Sequence, residues 1–317
     1  MASTRTALFS RNQRGGVFTV DDVADHPGDI FFVDSTNSAA SDSATFGNNP
    51  IDRPLATIDY AIGLCTASKG DVIYVMPGHV EALSTSDITV DIEGISIIGL
   101  GMGDLKPTIT FGDTTDEINV TADNVLLKNL RCVSGVNNLA HFIDNDAQYL
   151  HVEDCDFITS SALEAYAFIN HATTKDYLWI TRCRAEQPSD PEGTNGGAGT
   201  GFLYCIDSGY IFIKDCVVLG NFETAIIHND TTKCFELVID GCTFNQDLAD
   251  GLHIVLEADS TGAMTNSNGR NINATDVTEA KILGTIGTMF WVDGNSFFGN
   301  DSGGGGQLQV AGSTATT

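Results

Sequence analysis

The feature that most constrains this chain is a six-residue phrase, plainest at Leu150-His151-Val152-Glu153-Asp154-Cys155. Large apolar residues hold its first and third places, polar residues its fourth and fifth, and a small apolar residue its sixth. The phrase returns as Leu178/Ile180/Cys183, Ile211/Ile213/Cys216 and Leu237/Ile239/Cys242. Looser copies stand upstream at Ile95/Ile97/Leu100 and Val125/Leu127/Leu130, and Phe290/Val292/Asn295 reads as a late one. Starts at 95, 125, 150, 178, 211 and 237 are 25 to 33 residues apart, and the step from 237 to 290, 53 residues, is about two such intervals. Two-residue alternation is the period of a strand, and its recurrence at this spacing marks coils stacked one upon the next.

A companion strand precedes each strong copy, ending Phe142-Ile143-Asp144, Phe168-Ile169-Asn170, Cys205-Ile206-Asp207 and Ile226-Ile227-His228. A short polar turn follows each. Strand, tight corner, strand and longer return make one rung of a parallel β-helix. The expected lumen columns are Ile143/Ile169/Ile206/Ile227 and Val152/Ile180/Ile213/Ile239. A single rung cannot bury its apolar side alone, so the stack is cooperative and its ends need closing.

Apolar residues at 55, 58, 61, 62 and 65 keep helical spacing, which predicts a helix near 56–68 with Thr57 as its N-cap and Gly70 as a stop. An amphipathic helix ahead of a solenoid serves as its plug. The chain therefore divides into an N-terminal arm (1–29), a parallel β-helix (30–300) and a Gly-rich tail (301–317). Residues 186–200 and 258–280 read as long return loops.

The opening of this region carries a resemblance. Phe31-Phe32-Val33-Asp34, Pro54-Leu55-Ala56-Thr57-Ile58 and Gly70-Asp71-Val72-Ile73-Tyr74-Val75-Met76-Pro77-Gly78 resemble the start of the right-handed parallel β-helix superfamily that includes pectate lyases and phage tailspikes. The resemblance implies an all-β, single-stranded right-handed parallel β-helix with an N-terminal capping α-helix. It implies no particular activity, because one architecture hosts lyases, hydrolases, adhesins and inert parts. The chain also departs from the enzyme branches. It lacks the Asn-Thr-Asp and Gly-His-Gly motifs of polygalacturonase-like members, and the Arg-x-Pro-x-x-Arg of pectate lyases.

Charge narrows the partners. Fifteen basic residues face 42 acidic ones, for a net charge of −27, which argues against nucleic-acid binding and for a mutually repelling surface. No apolar run approaches membrane-spanning length, and Met1-Ala2-Ser3-Thr4-Arg5 lacks the apolar core of a secretion signal. The first twenty residues hold Arg5, Arg11 and Arg14 and no carboxylate. They read either as a disordered tail or as an arm that orders on an acidic partner surface.

Of eight cysteines, Cys155, Cys183, Cys216 and Cys242 share the sixth place. Stacked neighbours would lie about 4.8 Å apart with parallel side chains, a poor disposition for a disulfide, so they read as an inert buried thiol ladder. No Cys-x-x-Cys or zinc spacing exists, and no cofactor or metal is expected.

The second place of the phrase reads Leu126, His151, Trp179, Phe212, Val238. These residues alternate with lumen positions and so point outward. An aligned apolar stripe is either covered by the chain's own loops or forms a subunit interface anchored by Trp179 and Phe212. Asp154, Arg182 and Asp215 at the fifth place read as a surface ion ladder. Asp144 and Asp207 are expected in one column with Asn170 between them, about 10 Å apart, near the spacing of an inverting glycosidase. Corner Asp and Asn residues more often bond the local backbone. His151 and His171 are weak alternative bases without an evident partner.

Two classes of function follow. The first, whose viral element comes from the resemblance alone, is a bacteriophage capsid decoration (cement) protein. It would lie on the virion surface after assembly in the host cytoplasm, self-associating as a homotrimer and holding the major capsid protein through its arm. The second is a tailspike-like polysaccharide depolymerase or a glycan-binding adhesin.

Overall fold

The computed structural model describes residues 28–84, 87–160, 162–172, 175–188, 201–247, 252–271, 282–284, 288–299 and 310–311. Among the described residues, three parallel sheets run the length of the stack. The first has ten strands, from Ile30–Val33 and Val72–Val75 through Leu150–Glu153 to Met289–Asp293. Each coil then visits a second, nine-stranded sheet, from Val80–Leu83 to Ser296–Gly299. It returns along a third, also nine-stranded, from Ile88–Val90 to Val310–Ala311. At about 4.8 Å per step, ten stacked strands span about 43 Å.

Left-handed residues define the first sheet. Tyr149, Tyr177 and Tyr210 have φ of 59°, 67° and 56°, and Asp154, Arg182 and Asp215 have φ of 55°, 53° and 54°. Each phrase therefore sits between two such residues five positions apart, and Asn124 and Asn129 repeat the pattern one coil earlier. The conformation costs an L-residue about 1–2 kcal/mol, yet it turns the chain through a corner without a loop. From the copy at Val125 onward the corner after the phrase is constant, whereas the copy at Ile95 is followed by a longer connection, from Gly99 to Thr108. Strand ends at 128, 153, 181, 214, 240 and 265 are each followed three residues later by the next strand, at 131, 156, 184, 217, 243 and 268.

The lumen is filled in layers. Leu150, Leu178, Ile211 and Leu237 align in register, as do Val152, Ile180, Ile213 and Ile239, and all are buried. The other expected column needs a correction at one rung. Ile169 pairs with Leu203, and Leu203 with Ile227, so Leu203 rather than Ile206 continues Ile143 and Ile169. The adjacent buried pair Phe202-Leu203 takes the places of Phe142-Ile143 and Phe168-Ile169. Cys205 instead continues the buried corner column Asn145/His171/Asn229, which bonds the turns from inside.

The expected loop at 258–280 is also overturned in its first half. Thr261–Thr265 and Asn268–Asn271 add a further rung, which fills the 237-to-290 gap. Its first phrase place is Gly262, where a Cβ would lie 2.1 Å from the Leu237 carbonyl oxygen. A large apolar residue is excluded there, so the copy was invisible to a hydrophobic pattern. Phe290, Val292 and Asn295 belong to the following rung, as read from the sequence.

The capping helix is shorter than its apolar spacing suggested, Ile58–Ile62, with Thr57 as the N-cap accepting from the Tyr60 amide. Its buried Ile58, Ala61 and Ile62 join Val33, Leu55, Val75 and Ile88 in the core. Glu81, 8% exposed, fixes its entry by accepting the Ile58 amide at 3.0 Å. His79 ties the same carboxylate to the loop: Nδ1 accepts from the Ser35 amide, and Nε2 lies 3.1 Å from Glu81. No helix among the described residues is long and apolar enough to cross a membrane.

The eight cysteines are buried thiols. In the ladder of Cys155, Cys183, Cys216 and Cys242, each sulfur lies 3.3–3.7 Å from two carbonyl oxygens. Burial pushes the Cys183 thiol well above its ordinary range, which suits packing and not nucleophilic work.

Candidate functional site: the outer face of the first sheet

The outward column runs in register through Leu126, His151, Trp179, Phe212 and Val238, then continues to Ala263 and Trp291. Leu126, Trp179, Phe212 and Val238 are half-buried and His151 is exposed. Trp179 and Phe212 stack at 5.7 Å and 12°, while His151 meets the indole edge-on at 4.5 Å. The stripe expected from the sequence is therefore continuous. At its far end Trp291 and Met289 are 69% and 70% exposed.

A second row, absent from the sequence-based stripe, lies beside it. Tyr149 and Tyr177 stack at 4.6 Å and 6°, and Tyr177 and Tyr210 at 4.8 Å and 7°. Tyr177 also stacks on Trp179 at 5.9 Å. These spacings are the rung spacing itself, so the coil holds the rings face to face. The faces cover one another, and the sheet presents a wall of ring edges. The signal was present in the sequence as a tyrosine just before the phrase in three successive copies, but only backbone geometry shows that this position is left-handed.

Charges line the other margin. Lys128 Nζ lies 2.8 Å from Glu153, while Arg182 pairs with Glu153 and, at 2.8 Å, with Asp154. Hydrogen bonds from Lys128 and Arg182, respectively, hold the Glu153 and Asp154 carboxyls below their ordinary range. Exposed pairs of this kind contribute little to stability; here they flank the stripe and fix its edge.

The carboxylates singled out from sequence are not brought together. In the third sheet, the column around Asp144 runs Asn119, Asp144, Asn170, Tyr204 and His228. Tyr204, not Asp207, follows Asn170. The expected shared column failed for the same reason as the Ile206 alignment: the Gly201–Ile206 strand pairs three residues earlier than its Cys-Ile-Asp ending suggested. Asp207 sits instead in a left-handed corner, φ 46°. It lines a depression of about 450 Å³ with Asp176, Tyr210, Phe235 and Glu236. Asp144 accepts a 2.6 Å hydrogen bond from Asn170, and burial raises its pKa while that bond opposes the rise.

The two histidines divide as well. His171 is buried, its Nδ1 2.9 Å from the Asn145 amide nitrogen, and burial lowers its pKa to about 4. It belongs to the lumen corner. Burial also lowers the pKa of His151, which stands in the stripe. The arm residues Arg5, Arg11 and Arg14 lie outside the described residues.

Stacked in-register coils, three parallel sheets and a helical plug define a right-handed parallel β-helix protein. Comparison with solved structures agrees. The chain is similar to a pectin methylesterase from Aspergillus niger in deglycosylated form, with 15% identity, 86% of this chain and 87% of that one covered, and a TM-score of 0.57. It is also similar to pectate lyase Pel9A, with 10% identity, 89% and 73% covered, and a TM-score of 0.53. A Geobacillus virus E2 protein, ORF18, matches at 14% identity over 86% of this chain and 62% of that one, with a TM-score of 0.36, too low to bear on fold or function. No protein-family profile matches the chain, and no curated protein matches it. At these identities the likeness defines the fold alone.

Proposed function

We propose that this protein is a structural component of a virus particle, a bacteriophage capsid decoration (cement) protein, and that copies of it associate through the outer face of the first sheet. The observation that carries the reading is the double aromatic row. Three tyrosines occupy left-handed corners at about 1–2 kcal/mol each, at a position where Asn124 meets the same demand more easily. Strain kept at successive rungs points to a use for the surface it builds. Ring edges, the half-buried Trp179 and Phe212 and the exposed Trp291 supply the aromatic anchors typical of an interface centre. Closed cyclic symmetry is the usual route to self-association; under this proposal a homotrimer is the closed form, and the Arg5/Arg11/Arg14 arm has the role of holding the major capsid protein.

Mass measurement in solution tests the association. The native chain is expected to run as a trimer and the Trp179→Ala/Phe212→Ala double variant as a monomer. A monomeric native chain would remove the interface. Co-sedimentation with phage heads then tests the capsid: loss of head binding on deleting residues 1–20 is expected, and a chain that never sediments with heads ends the virion assignment.

A second reading, a tailspike-like depolymerase or glycan-binding adhesin, rests on the depression where Asp176, Asp207 and Glu236 gather beside Tyr210. Reducing ends released from bacterial exopolysaccharide, and lost on Asp207→Asn, would favour it.

A further inference from the structure

The third sheet carries a different kind of outer surface. Glu117, His141 and Asp144 bring one ligand atom each within 4.8 Å of the others. They come from two adjacent rungs, Glu117 just before the Ile118–Val120 strand and His141 and Asp144 within Leu139–Asn145. His141 Nδ1 stands 3.6 Å from Glu117 Oε2. That is too long for a hydrogen bond and close to the spacing of two ligands on one ion with bonds of about 2.0–2.2 Å.

The surroundings are short of donors. His141 Nδ1 is buried without a hydrogen-bond partner. Asn119 and Asn170 stand above and below Asp144 in register, and the amide oxygen of each is also buried and unpartnered. Asn170 is itself 9% exposed. Its amide nitrogen occupies Asp144 Oδ1, which orients that carboxylate. Among the described residues no lysine or arginine pairs with Glu117 or Asp144. A buried, unpartnered imidazole nitrogen between two carboxylates calls for an explanation, and a cation bound by all three supplies it.

We propose that Glu117, His141 and Asp144 bind one divalent transition-metal ion of the zinc class, clasping two adjacent rungs from outside, with Asn170 orienting the Asp144 carboxylate. The imidazole ligand sets the class: calcium and magnesium take oxygen shells, whereas mixed nitrogen and carboxylate sets suit zinc and its neighbours. An amide holding a ligand carboxylate is the usual outer support of such a site. This site is separate from the aromatic stripe and stands or falls without it.

The test uses the full chain, stripped with chelator, titrated with Zn²⁺ by calorimetry and with Co²⁺ by absorption. One zinc per chain is expected. His141→Ala should weaken binding by about 100-fold, the upper end of the loss that even a supporting residue causes. Glu117→Gln, at a half-buried surface position, should weaken it in the same direction, with circular dichroism unchanged. The Co²⁺ spectrum should show nitrogen and oxygen ligation without a thiolate charge-transfer band. No stoichiometric zinc, affinity unchanged in both variants, or a thiolate band from the buried cysteines would each overturn the site.

Discussion

Aromatic rings serve this molecule in two ways, inside and outside the coil. In the lumen, Phe142 meets Phe111 and Phe168 at 78° and 80°, with centroids 5.2 Å apart, and Phe168 meets Phe222 at 67°. On the first sheet, Tyr149, Tyr177 and Tyr210 lie within 7° of parallel. Interior rings pack edge to face because neighbours press from three sheets at once, and offset or edge-on contacts are preferred over a sandwich. Exterior rings lie on an open face, so the backbone repeat sets their spacing to the rings above and below, with Trp179 alongside Tyr177 on the same strand. Rings inside stabilise the fold, whereas rings outside leave apolar edges for something else to cover.

Four experiments would break or sharpen that contrast. The largest effect is expected from Phe168→Ala, which removes a fully buried ring touching Phe142, Phe157, Phe202 and Phe222. A loss of about 3–5 kcal/mol in urea unfolding follows from core truncations of this size. A loss below about 1 kcal/mol would mean the lumen is loosely filled.

The imidazoles extend the comparison. His171 is held at about 4, against an ordinary 6.5. The folded chain therefore refuses a proton that the unfolded chain accepts. Stability present above pH 6.5 should decline as pH falls toward 4, by about 3 kcal/mol at most. His171→Gln should flatten that part of the pH profile; an unchanged slope would place the acid sensitivity elsewhere.

Outside, Trp179→Ala alone should cost the monomer about 1 kcal/mol, because it loses stacking and only part of its burial. Its effect on association should be far larger, read as a shift toward monomer on dilution. The smallest effect concerns strain. Asn tolerates the left-handed corner better than Tyr, so Tyr→Asn exchanges strain relief for lost stacking of about 0.5–1.5 kcal/mol per partner. Tyr210, stacked on Tyr177 alone, should be near neutral in thermal melts. Tyr177, stacked on Tyr149, Tyr210 and Trp179, should be the more destabilised.

The coil was legible because its constraint is periodic. Leu150, Val152 and Cys155 recur at places that only a stacked rung explains, and the first-sheet register follows them residue for residue. Legibility ended where the lumen accepts small or polar groups. Gly262 opens a full rung in which Met264 is the one large lumen residue of the phrase, too little for a hydrophobic pattern to show. The third sheet was misaligned at Ile206 because two consecutive inward residues, as at Phe202-Leu203, break strict alternation. Trp179 and Phe212 were found as neighbours because they fall inside the phrase. Glu117, His141 and Asp144 were not, because a site built across rungs joins residues whose separation in sequence is set by a loop of arbitrary length.

The three-residue step from first to second sheet, kept from Lys128 to Arg131 onward, as at Glu153 to Asp156 and Lys214 to Val217, has a practical corollary. Lengthening the chain there by a single position would slip the second-sheet strand of that rung by one residue and turn its side chains to the opposite faces. The opposite shoulder, between Gln187 and Gly201, already hosts a longer span of chain than its counterpart between Ser134 and Leu139. A foreign epitope spliced at that shoulder should ride on the scaffold without disturbing its winding, which makes the molecule a candidate carrier for peptide display.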